Sequence, residues 1–244
     1  MTDRDVPADL GRLWRIPAPA RLGRPAELDL DRVVRAAVDL ADRDGLEGVT
    51  LQKVAQALGF TKMSLYRHVG SKDELFELMA DHANGPAPDL GDEGGWRDGV
   101  RRWAGAIRAR YTEHPWLVDM PISGPPRGPN AISWMDAMLR VLRNSGLDLG
   151  TQVGVLTVVS GYVGHAMALT RQMARGREGT GLSQVDVEQD YGRTLAALVD
   201  PERFPYAAKL FGGDVFEPEA GTDDFSFGLE LVLDGVAAAI DAVG

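Results

Sequence analysis

Apolar residues recur at three- and four-residue steps along most of this 244-residue chain. No stretch sustains the two-residue alternation of a half-buried strand, so the pattern predicts an all-α fold. The first periodic stretch is Leu30–Arg43, with Leu30, Val33, Val34, Ala37, Val38 and Ala41 on one side. Asp29 or Asp31 caps it and Gly45 ends it. A second run, Leu51, Val54, Ala55 and Leu58, follows Thr50 and stops at Gly59. Thr61 then opens a short helix over Lys62–His68, anchored by Leu65. Ser71 and Glu74 have the spacing of a capping box and start a helix that runs to about Ala83.

Residues 85–95, GPAPDLGDEGG, form a linker rich in helix breakers. Beyond it the period predicts helices at Trp96–Glu113, Ala131–Asn144, Asp148–Ala174, Val187–Val199 and Asp223–Val243. Val118–Asn130 and Arg175–Gln184 read as loops, and Pro201–Phe211 as irregular chain. Residues 1–27, rich in proline and charge, read as a flexible arm. The chain therefore divides into that arm, a small helical unit at 28–84 and a larger one at 96–244.

Two helices carry small residues along one face. In the long helix these are Gly154, Thr157, Gly161, Gly164 and Ala168; in the last, Gly228, Val232, Gly235 and Ala239. A glycine inside a helix costs about 1 kcal/mol, so a repeated glycine face implies close approach of another backbone. The two helices could pack on each other within one chain. Two copies of the pair would instead make a four-helix bundle across a two-fold axis, and hence a homodimer.

Composition sharpens the picture at one place. The net charge is −10, yet Thr50–Lys72 carries Lys53, Lys62, Arg67 and Lys72 and no acid. A local basic surface on an acidic chain calls for an anionic partner that touches that surface only. Two short helices around a tight turn form a helix-turn-helix, whose second helix enters the major groove of double-stranded DNA. Lys62 lies at the start of that helix, where side chains reach base edges. Thr61, Ser64 and Tyr66 are neutral donors suited to phosphate oxygens. His68 and Lys72 add charge at the backbone. Arg21 and Arg24, just ahead of the first periodic helix, read as a solvated tail or as a minor-groove arm.

The order of these residues resembles the TetR family of bacterial transcriptional regulators. Thr50, Val54, Ala55, Gly59, Leu65, Tyr66, His68, Ser71, Lys72 and Leu75 match the family's head pattern. The resemblance implies phosphate contacts from Thr50, Tyr66, His68 and Lys72, and base contacts from Lys62, Met63 and Arg67. Met63 offers only van der Waals contact. Phe225–Val236, FSFGLELVLDGV, and the run SGYVGHA in the long helix look like the tetracycline-repressor subgroup. The expected architecture is then a three-helix DNA-binding head at 28–84 and a ligand-binding and dimerisation body at 96–244. The expected function is a repressor released from a palindromic operator by a small-molecule effector.

The body supplies aromatic, aliphatic and sulfur-bearing side chains for such an effector: Trp103, Ile107, Trp116, Met120, Trp134, Met138, Tyr162 and His165. In the subgroup the drug binds as a magnesium chelate, held partly by histidine and a carboxylate. This chain has no acid between Asp148 and Glu178, so an aromatic, largely apolar effector without metal or other cofactor is expected. An enzyme is not expected, because the four histidines are scattered and GREGTG lacks a strand–helix context. The rival expectation is a ligand-binding or scaffold protein whose head no longer binds DNA specifically. The apolar run Val153–Leu169 is marginal in length for a membrane span and carries polar groups, which favours a buried helix of a soluble protein. Absence of cysteine fits a reducing cytoplasm.

Overall fold

The computed structural model describes residues 6–17, 28–121, 124–216 and 224–243. The described residues contain helices and no strand. They form α1 (Ala8–Leu13), α2 (Leu30–Asp44), α3 (Leu51–Leu58), α4 (Lys62–Leu65), α5 (Lys72–Asn84), α6 (Gly95–Glu113), α7 (Pro129–Leu142), α8 (Leu149–Arg177), α9 (Gln184–Leu198), α10 (Pro205–Phe211) and α11 (Asp224–Asp241). Two 3₁₀ turns, Leu46–Gly48 and Pro115–Asp119, lie between them. The chain divides into two compact units, one of residues 1–167 with 229–244, the other of residues 168–228.

The starts and stops of the head are written in its sequence. Asp29 accepts from the Arg32 amide, Thr50 from Lys53, Thr61 from Ser64 and Ser71 from Glu74, each a side-chain N-cap. Gly59 closes α3 in the left-handed conformation (φ 75°), where a side chain would strain the backbone. The apolar faces of α2, α3 and α5 enclose one core with Leu65 and Val69.

Four elements differ from expectation. The residues 8–13 of the arm are helical: Pro7 sits before the first turn, Leu13 is buried in the head core and Leu10 packs against it. Arg21 and Arg24 lie outside the described residues. The predicted two-turn helix Lys62–His68 is α-helical only to Leu65. It then tightens, with the Arg67 amide donating to Ser64 and that of His68 to Leu65, which brings Val69 into the core. The capping box at Ser71 is half made, because the Glu74 carboxylate turns instead to the Gly70 amide (2.9 Å) and to Arg12. Pro205 begins a helix inside the stretch read as irregular, using proline where its missing N–H is harmless.

In the body, α6 packs on α7. The rings of Trp103 and Trp134 meet edge to face at 5.7 Å, and the Trp103 indole donates to the Trp134 carbonyl (2.9 Å). Arg97 and Arg101 of α6 clamp Glu230 of α11, with N···O distances of 2.7 and 2.6 Å. The long helix α8 buries only Gln152, Val155, Val159 and Val163. Its length and apolar composition would suffice to cross a membrane, and most of it is exposed in the single chain, unlike the buried helix expected. In the unit of residues 168–228, Phe211 and Phe216 stack at 5.4 Å with Tyr191 edge-on to both, holding α9 to α10.

Bonds from Arg101 and then Arg97 lower the Glu230 pKa from 4.5 to about 2. A depressed carboxylate stabilises the fold above its unfolded value and loses that contribution as pH falls through the folded one. Glu230→Gln is therefore expected to melt below wild type at pH 7. The gap should close as pH falls from 4.5 towards about 2. Because the group is exposed, added salt should also narrow it, as differential scanning calorimetry would read.

Candidate nucleic-acid interface and its link to the body

Helices α3 and α4, with the turn after them, project one exposed polar surface. Met63 stands out most, at 73% exposure, and Thr50, Thr61, Lys62, Tyr66, Arg67 and Lys72 are exposed around it. Ser64 and His68 are half-buried. The burial of Leu65 fixes this arrangement, since its side chain faces the core and turns Lys62, Met63 and Tyr66 outward. Lys62 Nζ lies 5.7 Å from the Tyr66 ring centre, so cation and phenol occupy one patch. Lys72, at the first turn of α5, lies 4.8 Å over Phe76. The hydroxyls of Thr61 and Ser64 are 3.0 Å apart, so each already has a partner inside the cap. Such a surface offers cations and a phenol O–H around an exposed apolar thioether.

The acid beside this surface is partly compensated. Glu74, two residues after Lys72, is held by the Arg12 guanidinium, one of whose bonds measures 2.8 Å. Arg12 was not singled out in the sequence. Its signal was faint: Pro7, Asp9, Leu10 and Leu13 together spell a one-turn amphipathic helix. Arg127 extends the same link, bonding Glu77 at 2.6 Å and Asp9 at 3.2 Å. The exposed Trp14 indole donates to the Arg127 carbonyl (2.8 Å).

The expected effector residues do not share one environment. Trp103, Ile107, Trp134 and Met138 are buried in the body. The Trp134 indole is engaged by the Gly85 carbonyl (2.9 Å). Trp116 belongs to the core of the head: it is fully buried there with Leu117, while Tyr111 and Met120 pack against the same cluster. Its indole donates to Asp42 of α2 (2.6 Å), which also bonds His114 (2.8 Å). Trp116 thus serves as a plug from body to head. Tyr162 is half-buried, and His165 is exposed on the face that carries Gly154, Thr157 and Gly161. A cleft of about 160 Å³ lies elsewhere, between α9 and α10, lined by Gln189, Gly192, Arg193 and Phe216. Among the described residues no group of three or more acids or histidines is placed to hold a metal ion.

The small-residue faces are open. A Cβ added at Gly154, Gly161, Gly164 or Gly235 would meet nothing within 4 Å. On the same helices Val158, Phe227 and Leu231 are exposed.

Trp116→Ala is expected to cost about 3–5 kcal/mol, as for a large buried aromatic. Trp116→Phe should cost less, because it keeps the ring and gives up the bond to a partly exposed Asp42. Urea denaturation followed by circular dichroism measures both. A loss below about 1 kcal/mol in Trp116→Ala would contradict its place in the head core.

Comparison with known proteins agrees with this geometry. Residues 33–79 match the family described as bacterial regulatory proteins, tetR family, and residues 87–240 match the tetracyclin repressor-like C-terminal domain. The HTH-type transcriptional repressor DrrR1 of Streptomyces coeruleorubidus is 36% identical over 239 residues, covering 97% of this chain and 87% of its own. The class A tetracycline repressor from transposon 1721 of Escherichia coli is 26% identical over 218 residues, covering 86% and 91%. The structure of apo ActR from Streptomyces coelicolor superposes with a TM-score of 0.73 at 25% identity, covering 91% of this chain and all of that one. ActR in complex with actinorhodin gives 0.71 at 28% identity, covering 88% and 97%. The chain belongs to the TetR family of bacterial transcriptional regulators, and is a regulator of transcription, not an enzyme.

Proposed function

We propose that this protein is a cytoplasmic repressor that binds a palindromic operator as a homodimer and leaves it when an aromatic, largely apolar small molecule binds the body. The observation that carries the reading is the exposed surface of α3, α4 and the start of α5, with Met63 at its centre and Lys62, Tyr66, Arg67 and Lys72 around it. Thr50, Tyr66, His68 and Lys72 would hold phosphates, with the Thr61 and Ser64 hydroxyls at their edge. Lys62, Met63 and Arg67 would face bases. Support for repression comes from DrrR1, a repressor, and support for a small-molecule effector from ActR in complex with actinorhodin.

Pairing is supported by the open glycine faces of α8 and α11. One head reads few bases, and two heads about 34–36 Å apart reach two half-sites. Gly154, Thr157, Gly161, Gly164 and Ala168, with Gly228, Val232, Gly235 and Ala239, would meet their counterparts across the two-fold axis. The same pairing would cover the apolar length of α8 without a membrane. For the effector, Trp103, Ile107, Trp134 and Met138 supply apolar and aromatic surface, and Met120, Tyr162 and His165 supply more accessible groups at its margin. A ligand works only through unequal affinity for two head arrangements, and α5, continuous with the head core, is the lever it would move.

Gel shift against the chain's own upstream DNA tests the reading. Lys62→Ala is expected to weaken specific binding by about 1–3 kcal/mol, and Lys72→Ala to lower the salt slope by about 1. Binding by both variants equal to wild type would remove the DNA reading. Gly161→Phe should shift sedimentation from dimer to monomer. A tightly bound aromatic ligand that leaves operator affinity unchanged would remove the effector reading.

A further inference from the structure

Helix α7 begins without a cap of its own. Its N-cap residue is Gly128, which has no side chain to offer, and Pro129 follows. The free amides of its first turn are met instead by a residue of the head. Asp81, on α5, accepts from the Asn130 amide and the Ala131 amide through Oδ1, both at 3.0 Å. The Asn130 side chain completes the clasp, donating from Nδ2 to the Asp81 carbonyl (2.9 Å) and to Oδ2 (3.2 Å). Asp81 is 8% exposed, the one buried acid among the described residues. Three of these donors reach the side-chain oxygens and the fourth the main-chain carbonyl, which suits a carboxylate, an acceptor only. The positive end of the α7 dipole adds to its favour. A Cβ at Gly128 would stand 2.1 Å from Oδ1, so the glycine is what admits the carboxylate.

The two helices joined here belong to different parts of the machine. Leu75, Phe76, Leu78 and Met79 seat α5 in the head core. Trp134 seats α7 against Trp103 of the body. Glu77, Asp81 and Gly85, four residues apart on α5, grip Arg127, Asn130 and Trp134 in turn. Of these grips, Arg127–Glu77 is exposed and the Gly85 bond is made by the residue that caps the C-terminal end of α5. Asp81 is the buried one in the middle. Burial pushes its carboxyl above the usual range, against the pull of the Ala131 and Asn130 amides and of Arg15. Arg127, Glu77 and Asp9 form a charged group linking α1, α5 and the start of α7.

We infer that Asp81, by capping α7 across the joint, is a positioning residue that sets the angle of the DNA-binding head on the body and so fixes the half-site spacing the dimer accepts. The inference rests on the two-fold DNA reading above. A head without this cap would still carry its phosphate and base contacts, but over a range of angles.

The test uses full-length protein and an operator recovered by selection from a random-sequence pool with the wild type. Affinity is measured on that operator and on versions with one base pair inserted or removed between half-sites, a shift of about 3.4 Å each. Wild type is expected to prefer the selected spacing by about tenfold or more, in the range of a coupling free energy between sites. Asp81→Ala should bring the three affinities within about threefold of one another while the salt slope stays unchanged. Gly128→Ala, which keeps the carboxylate but denies it room, should do the same, and Asp81→Asn should fall between. If Asp81→Ala does not fold, Gly128→Ala decides. Retention of the wild-type preference in these variants, or an equal loss on all three spacings, overturns the proposal. A wild type indifferent to spacing removes the two-fold reading itself, and the proposal with it.

Discussion

The head of this protein is completed by a residue that is not part of it in sequence. Trp116 enters the core built by α2, α3 and α5, and its indole N–H is satisfied by Asp42. A buried indole without a partner for its N–H would be costly, so the bond and the burial fix each other. This seating forces the chain between α6 and α7 to travel with the head. Around it sit the other links: His114 on Asp42, Arg127 on Glu77, and the Asp81 cap. Each is polar and directional, so their sum defines an angle as well as an attachment.

That constraint separates two kinds of task in one helical chain. The surface proposed to meet DNA is built from local rules. Leu65 points in, its neighbours point out, and four N-caps fix where each helix starts. The surface that holds head to body is built from long-range pairs, 49 to 74 residues apart in sequence. Charge is handled in the same spirit. An acidic protein keeps a basic window by tying its nearest inward acid, Glu74, to Arg12 instead of removing it.

Much of the fold was legible because helix signals are local. Gly45, Gly59, Thr50, Ser71 and the three- and four-residue steps located α2, α3 and α5 to within a residue or two. The ends that were missed have physical reasons. The recognition helix shortens because Val69 must reach the core, which no capping rule encodes. Helix α1 is one turn long and owes its existence to Arg12 and Leu13 finding partners some 60 residues away. The exposed polar surface proposed to meet DNA was readable from residue types, since cations and hydroxyls at fixed offsets carry their chemistry with them. The tryptophans were not. Aromatic content says that something is filled, and only the contacts say whether it is a pocket, the body core or, as for Trp116, the head. Asp81 left a trace that could be read backwards: Gly-Pro-Asn opens a helix without a capping side chain, so an acceptor had to come from elsewhere.

The short helix α1 has a consequence for the charge that stands beside Lys72. A chain in which α1 is undocked would keep the same α3 and α4, and the same lysines. It would withdraw Arg12, however, and Glu74 would keep its bond to the Gly70 amide but lose its counter-cation. An uncompensated carboxylate would then stand two residues from Lys72, beside the strand of phosphates that Lys72 is proposed to meet. The pairing of α1 with α5 would thus act as a setting on DNA affinity that needs no effector.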